Sequence, residues 1–290
     1  AADGGVVRRM ENEWRRGQAL AAYRERPVVA RLQGTVQHYA WGGHEFLPRL
    51  LGWERPVSRP WAEYWLGAHP LAPSEVHPGA APFSLAELLA TDAGRVLGED
   101  VVRRFGPHLP YLLKVLDARE MLSIQAHPTR AQAEAGFARE NAAGLALDAP
   151  CRNYKDPHPK PEVHVALTEF WMLHGFRPLS EIEEMFRAVP ELGALMPDWA
   201  ERQERVGDGP AATPPLLREL YERAMTLPQE AIDELLAPLI RRLESVGEWP
   251  KERPEYWALR AARNLPLPGG HWDRGLISMF LLNLVRLAPG

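Results

Sequence analysis

The sequence predicts a mixed β and α fold in which a strand-rich body precedes a helical block. Between about residues 27 and 177, prolines and glycines separate short apolar runs of strand length, such as PVVARL, YLLKVL, MLSIQAH and PEVHVAL. From residue 178 onward, apolar residues recur at the three-to-four-residue spacing of amphipathic helices. The change of pattern predicts a polar N-terminal extension at 1–26, a β-rich domain at 27–177 and an all-α domain at 178–290.

The composition is that of an ordinary soluble globular protein. The 290 residues are 46% hydrophobic and 25% charged, and the formal net charge of −4 gives no sign of a nucleic-acid or anionic-membrane partner. No apolar stretch approaches the roughly 18 residues of a membrane span. The single cysteine, Cys151, excludes an internal disulfide framework, so we expect a cytoplasmic protein, and we expect it to be a monomer.

Helices are predicted in both domains. Two interrupt the β-rich domain, at 84–90 and 129–141. In the helical domain, apolar stripes predict helices near 180–189, 216–224, 232–243 and 254–264, and a last one at 273–287. We interpret these stripes as packing surfaces rather than as a cofactor site.

Two runs, LSIQAHP at 122–128 and KPEVHVAL at 160–167, alternate polar and apolar residues as strands do. The polar triplets are Ser123, Gln125 and His127 in the first run, and Lys160, Glu162 and His164 in the second. If the two strands pair, Gln125, His127 and Glu162 converge on one cation. Imidazole, carboxylate and amide donors suit zinc, and also manganese or iron. Spacing alone does not distinguish such a site from an ordinary polar strand face.

Lysine is rare in this chain. Of 34 basic residues only four are lysines, namely Lys114, Lys155, Lys160 and Lys251. Lysine can lose its proton when it is desolvated, whereas the guanidinium of arginine effectively cannot. Lys114 and Lys160 are therefore candidates for a role that arginine could not fill.

These runs resemble a known family. SIQAHP and the Tyr-x-Asp-x-x-x-Lys-Pro-Glu run at 154–162 are similar to the two N-terminal metal-site motifs of type I mannose-6-phosphate isomerases. VQHYAWGG at 36–43 and WAEYWLGAHPLAPSEV at 61–76 resemble the segments that open that family's sequences. The similarities run in order from about Val29 to the C-terminus.

The resemblance implies a cupin-type double-stranded β-helix with an inserted all-α domain. It implies one zinc per chain, held by Gln125, His127 and Glu162 and by a second histidine further along the family's sequences. Ser123 would contact the phosphate of a sugar-phosphate substrate. Trp41, Glu63 and Lys114 would line the pocket, and Lys160 would lie beside the reacting carbons.

The implied reaction interconverts mannose 6-phosphate and fructose 6-phosphate by moving a proton between C1 and C2. Such a step needs a polarised carbonyl and a base that works near neutral pH. Lys160 is the candidate for proton transfer. The alternative is that Lys160 only neutralises Glu162 or the phosphate.

The chain departs from the family pattern in its second motif. The family has Asn-His before Lys-Pro-Glu, where this chain has His158-Pro159, so a histidine is replaced by proline. Either His158 or His164 could compensate. We expect His164 to be a solvated strand residue, although an additional pocket group or a replacement ligand remains an alternative.

The second departure is the end of the chain at LVRLAPG. In the family, the fourth zinc ligand, an arginine assigned a catalytic role and the strands that complete the barrel follow this point. We therefore expect an incomplete barrel with an open sheet edge, weaker zinc binding than in a complete site, and little turnover by the 290-residue chain.

Two other functions stay open. The chain could be a non-catalytic cupin relative that binds a sugar phosphate, which the motif departure and the early end would favour. It could also be a metal-dependent cupin oxygenase in which His127, Glu162 and His164 form a two-histidine, one-carboxylate site. The spacing of these residues is not the usual cupin pattern.

Overall fold

The computed structural model describes residues 3–79, 81–206 and 213–290 and has the predicted mixture of helices and strands. The chain forms two compact units, Ala1–Leu122 (unit 1) and Ser123–Gly290 (unit 2). The predicted change of domain at 177–178 stays a prediction. None of the described helices combines the length and the apolar composition needed to cross a membrane.

Unit 1 consists of short antiparallel strands and four helices. The helices are α1 (Asp3–Glu25), α2 (Phe46–Leu50), α3 (Leu85–Leu97) and α4 (Glu99–Phe105). The strands are β1 (Arg31–Gln33), β2 (Thr35–Gln37), β3 (Glu63–Leu66), β4 (Ala68–His69), β5 (Ala72–Pro73), β6 (Glu75–His77), β7 (Phe83–Ser84) and β8 (Leu113–Leu116). They form sheets in the orders β1-β6-β7, β2-β3-β8 and β4-β5.

The N-terminal extension is the long helix α1, which docks through its C-terminal part. Ala19 belongs to a buried cluster with Val76, Phe83 and Leu88. The ring of Tyr23 packs edge-on against Phe83, with 5.4 Å between ring centroids. Trp14 is 66% exposed, so among the residues of α1 whose burial is described, those of the last two turns contribute to the core of unit 1.

Unit 2 is mainly helical. Its helices are α5 (Arg130–Ala142), α6 (Leu179–Ala188), α7 (Pro190–Gly193), α8 (Trp199–Val206), α9 (Thr213–Thr226), α10 (Gln229–Val246), α11 (Pro254–Asn264) and α12 (Ser278–Leu281). Short 3₁₀ turns occupy Pro268–Gly270 and Arg274–Ile277, and the two strands are β9 (Phe170–Phe176) and β10 (Leu282–Leu287). The apolar stripes of the helices form the core; fully buried examples are Ile182, Leu220, Ile232, Leu236, Leu239 and Leu243.

The predicted last helix is wrong over its second half. The 3₁₀ turn and α12 account for residues 274–281, but residues 282–287 form β10, which pairs antiparallel with β9. The run LLNLVRL is apolar enough for either structure, and helix and strand cannot be told apart by periodicity in so short a run. Pairing with β9 therefore decides the conformation.

The predicted strands at 122–128 and 160–167 are also wrong as hydrogen-bonded strands. Residues 121–129 and 158–166 are irregular in the structure, and Val163 is 94% exposed. A β-strand is defined by its backbone hydrogen bonds to a neighbouring strand. Alternation of polar and apolar residues in one segment does not show that such a neighbouring strand exists. Within the described ranges, no strand pairs with either segment over its length.

Replacing Phe83 with alanine should destabilise the core of unit 1. Phe83 is 1% exposed, and truncating a buried phenylalanine typically costs about 3–5 kcal/mol of the free energy of unfolding. Urea denaturation measures the change. Leu71→Ala is the matched control, because Leu71 is 75% exposed in the same unit and its loss should cost less than about 0.5 kcal/mol. Equal losses for the two variants would contradict the observed packing.

Candidate functional site

In unit 1, the pairing of β3 with β8 brings two of the predicted pocket residues together. Trp65 lies directly opposite Lys114, and Glu63 is on the same face of β3 as Trp65. The Lys114 ammonium is 3.7 Å from Glu63 Oε2 and 5.1 Å from the centre of the Trp65 ring. Glu63 is only 6% exposed, and its Oε2 accepts a hydrogen bond of 2.5 Å from Trp65 Nε1. The sheet thus presents a fixed acid and a fixed cation side by side.

Trp41, the third predicted pocket residue of unit 1, lies in the loop after β2. Its ring stacks on Tyr39 with 5.7 Å between centroids, and its carbonyl accepts hydrogen bonds from Arg119 N and Glu120 N. Burial, together with the negative charge of Glu63, raises the pKa of Tyr39 above its usual value. A tyrosine is protonated at neutral pH in any case, so the Tyr39 hydroxyl can donate a hydrogen bond.

Glycine is required in this loop at position 42. A side chain there would bring a Cβ within 2.7 Å of backbone and side-chain atoms of Ala62. The loop can pass so close to the residue before β3 only because Gly42 has no Cβ. This close passage fixes the position of the neighbouring Trp41.

In unit 2, the first metal motif leads directly into helix α5. Thr129 is the N-cap residue: its side chain accepts a hydrogen bond from Gln132 N, and the Gln132 side chain accepts one from Thr129 N. This reciprocal capping box marks the start of the helix strongly. His127 and Pro128 therefore lie immediately before a well-defined helix start.

The far end of α5 holds the start of the second motif. Glu140, 7% exposed, accepts hydrogen bonds from Asn153 N, Asn153 Nδ2 and Tyr154 N at 2.8–3.2 Å. Arg152 is also buried and donates to the carbonyl oxygens of Tyr154 and Leu145. The Tyr154 N–H makes the largest contribution to holding the pKa of Glu140 below its usual value, with further contributions from the Asn153 donors and the Arg152 charge.

Between this buried contact and the predicted ligand Glu162, Asp156 organises the chain. Its Oδ1 accepts from His158 N at 2.9 Å, and its Oδ2 is 2.5 Å from the Lys160 ammonium. Burial alone would raise the pKa of Asp156, but the hydrogen bond from Lys160 and that from His158 N outweigh burial and lower it. The ion-pair partner of Lys160 is thus Asp156, and the Lys160 side chain is 53% exposed.

Glu162 lies between two histidines. Its Oε2 is 3.6 Å from His127 Nε2 and 3.5 Å from His164 Nε2. Both distances exceed the roughly 2.7–3.2 Å of a hydrogen bond with an N–H donor. Two donors bound to one tetrahedral zinc, with bonds of about 2.0–2.1 Å, lie roughly 3.4 Å apart. The His127–Glu162 pair and the His164–Glu162 pair therefore both have a spacing that zinc can bridge.

The other predicted site residues of the first motif, Ser123 and Gln125, lie in the same irregular segment as His127. Ser123 and Gln125 are exposed, as is Ile124 between them. In the described part of the chain, no group of three His, Cys, Asp or Glu side chains could hold a metal ion. A site built on His127 and Glu162 thus needs a ligand of another kind, and the amide oxygen of Gln125 is one.

Sequence reasoning missed four residues that shape these sites. Trp65 follows Glu63 by two positions, so strand alternation could have placed it beside that carboxylate. Asp156 is part of the Tyr-x-Asp pattern. Glu140 gave no signal, because an acidic residue on a predicted helix is normally read as solvated, and Arg152 gave none because arginine is the usual surface cation of this chain.

Comparisons with known proteins agree with the motifs. The model of the type I phosphomannose isomerase catalytic domain matches residues 29–179. The mannose-6-phosphate isomerase of Escherichia coli strain K12 is 37% identical over 265 residues, which are 90% of this chain and 62% of that protein. The mannose-6-phosphate isomerase of Mus musculus is 33% identical over 276 residues, with shares of 91% and 62%.

Solved structures give the same result. A zinc-bound crystal structure of mannose 6-phosphate isomerase matches with a TM-score of 0.75 and 35% identity, over 90% of this chain and 62% of that one. The Salmonella typhimurium enzyme, crystallised with its substrate and zinc, matches with a TM-score of 0.71 and 34% identity over the same shares. The chain thus spans about 62% of the length of these relatives. Because the catalytic-domain model covers more than half of the chain, the chain belongs to the type I phosphomannose isomerase family.

Proposed function

We propose that this chain is part of a zinc-dependent isomerase that interconverts mannose 6-phosphate and fructose 6-phosphate. The observation that carries the proposal is the approach of His127 to Glu162. These residues come from the two motifs that resemble the family's metal site, and they lie at a spacing that one zinc ion can bridge. The similar proteins of Escherichia coli and Mus musculus are mannose-6-phosphate isomerases, which favours this function over a non-catalytic binding module.

Zinc is the proposed cofactor. Crystal structures of related isomerases are described as zinc-bound. Gln125, His127 and Glu162 would hold one zinc ion through an amide oxygen, an imidazole nitrogen and a carboxylate oxygen. A bound zinc ion would polarise the substrate carbonyl as a Lewis acid.

The remaining predicted residues would bind the substrate. Ser123 would donate a hydrogen bond to the phosphate. Trp41, Glu63 and Lys114 would contact the sugar phosphate, with Glu63 and Lys114 already held by Trp65. Substrate contacts of this kind reduce the barrier by fixing the orientation of the reacting carbons.

Lys160 would transfer the proton between C1 and C2. In the neutral form its amine can accept a proton from one carbon and return it to the other. Asp156 holds the side chain of Lys160 in one position before the reaction. Because about half of the Lys160 side chain is exposed, its desolvation would have to come with substrate binding.

The finer features of the fold and setting belong to the same proposal. The β-rich domain at 27–177 would contribute to a cupin-type β-helix, and the helical domain at 178–290 would be its inserted all-α domain. The protein would be cytoplasmic, since its single cysteine needs no oxidising compartment. It would act as a monomer on a small sugar phosphate, without a nucleic-acid or membrane partner.

The activity is tested with protein expressed from its complete gene. We expect fructose 6-phosphate to form from mannose 6-phosphate, activity to disappear after dialysis against a chelator, and zinc to restore it. A coupled assay that detects fructose 6-phosphate measures the reaction. Zinc-loaded protein that binds mannose 6-phosphate without turnover would support the non-catalytic alternative instead.

Lys160→Arg separates proton transfer from charge neutralisation. Arginine keeps the positive charge beside Asp156 but cannot serve as a base, so kcat should fall by about 10²–10⁴ with zinc content unchanged. Lys155→Arg is the matched control, because Lys155 is a neighbouring exposed lysine and should be replaceable. Near-normal turnover of Lys160→Arg would mean that Lys160 supplies only charge.

Glu162→Ala tests the metal ligands. Removal of the carboxylate should weaken zinc binding by at least about 100-fold, measured by competition with a chromophoric chelator, because one of the few ionic donors is lost. Unchanged affinity would contradict the ligand assignment.

His164→Ala is the comparison for this experiment. Since no three His, Cys, Asp or Glu side chains among the described residues could hold a metal ion, we expect less than about a threefold change in zinc affinity. A loss as large as that of Glu162→Ala would instead make His164 a replacement ligand.

A further inference from the structure

One buried charge in unit 2 has no part in the proposed chemistry. Glu140 lies in the last turn of α5, where the helix macrodipole disfavours a negative side chain. It is nevertheless buried, and so is its partner Arg152, whose Nε is 3.9 Å from Glu140 Oε2. A buried carboxylate is retained only where donors and charges compensate it.

The compensation comes from one short stretch of chain, residues 152–154. Asn153 and Tyr154 donate three hydrogen bonds to Glu140, two of them from the backbone. Arg152 donates to Tyr154 O at 2.7 Å, to Leu145 O at 2.5 Å and to Asn141 Oδ1 at 2.7 Å. The backbone groups involved are the N–H groups of Asn153 and Tyr154 and the carbonyl oxygens of Tyr154 and Leu145. The contact therefore fixes the path of the main chain as well as the positions of the side chains.

A close packing contact supports the same stretch one turn earlier on α5. The Tyr154 ring lies against Gly136, where an added Cβ would come within 2.5 Å of ring carbons. Gly136 and Glu140 are four residues apart and therefore lie on one face of the helix. Residues 152–154 pack against that face of α5. The packing of the Tyr154 ring leaves no room for a side chain at position 136.

Helix α5 therefore connects the two metal motifs. Its capped start follows His127 and Pro128 directly, and its other end binds the stretch that precedes Asp156, Lys160 and Glu162. A helix of 13 residues is about 20 Å long and nearly rigid. The irregular and mostly exposed segments 121–129 and 158–166 form no strand ladder that would set the distance between them.

We propose that Glu140 is a positioning residue of the metal site: by binding residues 152–154 to α5, it sets the distance between the His127 segment and the Glu162 segment. This inference rests on the proposed zinc site and assigns to it a residue that touches neither metal nor substrate. Residues that orient metal ligands from outside the coordination sphere typically change metal affinity by about 10- to 100-fold.

The test is the zinc affinity of Glu140→Gln in the metal-free protein, measured by chelator competition. Glutamine has the same shape but lacks the charge that Arg152 needs. Its N–H₂ group cannot accept, so either the two hydrogen bonds from Asn153 or the one from Tyr154 is lost. We expect a loss of at least about tenfold. With Co²⁺ in place of zinc, we also expect the visible absorption of the bound ion to change, which a purely structural role would not cause.

Glu255→Gln is the matched control. Glu255 is also a buried carboxylate of unit 2, 4% exposed and bonded to Arg253 at 2.7 and 3.1 Å, but it lies in α11 and touches neither motif. It should lower the urea midpoint while leaving zinc affinity within about threefold of wild type. Equal affinity losses in the two variants would show general destabilisation and overturn the proposal.

Gly136→Ala provides a second variant in case Glu140→Gln does not fold. Alanine favours helix formation over glycine, so a loss of zinc affinity cannot come from a weakened helix and must come from the displaced Tyr154. We expect a loss of about threefold or more. Wild-type protein that binds no zinc would overturn the proposed metal site and this inference together. Wild-type binding with unchanged affinity in both variants would overturn this inference alone.

Discussion

Glu140 is almost completely removed from solvent, and its charge has to be compensated where it lies. Water is replaced by the N–H groups of residues 153 and 154 and by the guanidinium of Arg152. Because these donors belong to the start of the second metal motif, the charge can be compensated only if the motif returns to α5. The geometry of Asp156, Lys160 and Glu162 follows from that return, since they continue the same stretch of chain.

The candidate chemistry of each unit depends on a different physical device. In unit 1, an antiparallel sheet aligns Glu63, Trp65 and Lys114, and the low exposure of Glu63 makes its interactions with the other two strong. In unit 2, the candidate metal ligands lie on irregular segments that belong to no sheet. Hydrogen bonds of side chains position these segments, whereas in unit 1 the sheet positions the side chains. A site held by a few side chains is more sensitive to single substitutions than one held by a ladder.

Family membership and function rest on different kinds of support. The catalytic-domain match shows the family, and the relatives are isomerases of which this chain spans about 62%. The reaction needs a polarising metal and a base, and unit 2 offers His127 and Glu162 at a bridging distance and Lys160 held by Asp156. In the proposed reaction, the replacement of the family's motif histidine by Pro159 would leave Lys160 without that neighbour, so proton transfer would depend more on the lysine itself.

The sequence by itself determined the mixture of strands and helices, several of the longer helices and the family, and the residues expected to carry the chemistry stay a prediction. The helix after His127 was predictable because Thr129 and Gln132 form a local capping box, and helices α6, α9, α10 and α11 because their apolar stripes are periodic. Only the tertiary structure decided that residues 282–287 form a strand, that 122–128 and 160–167 do not, and that Lys160 pairs with Asp156. It also decided that Glu140 is buried. Capping and periodicity are local properties, whereas strand pairing and the burial of a charge depend on partners that lie elsewhere in the chain.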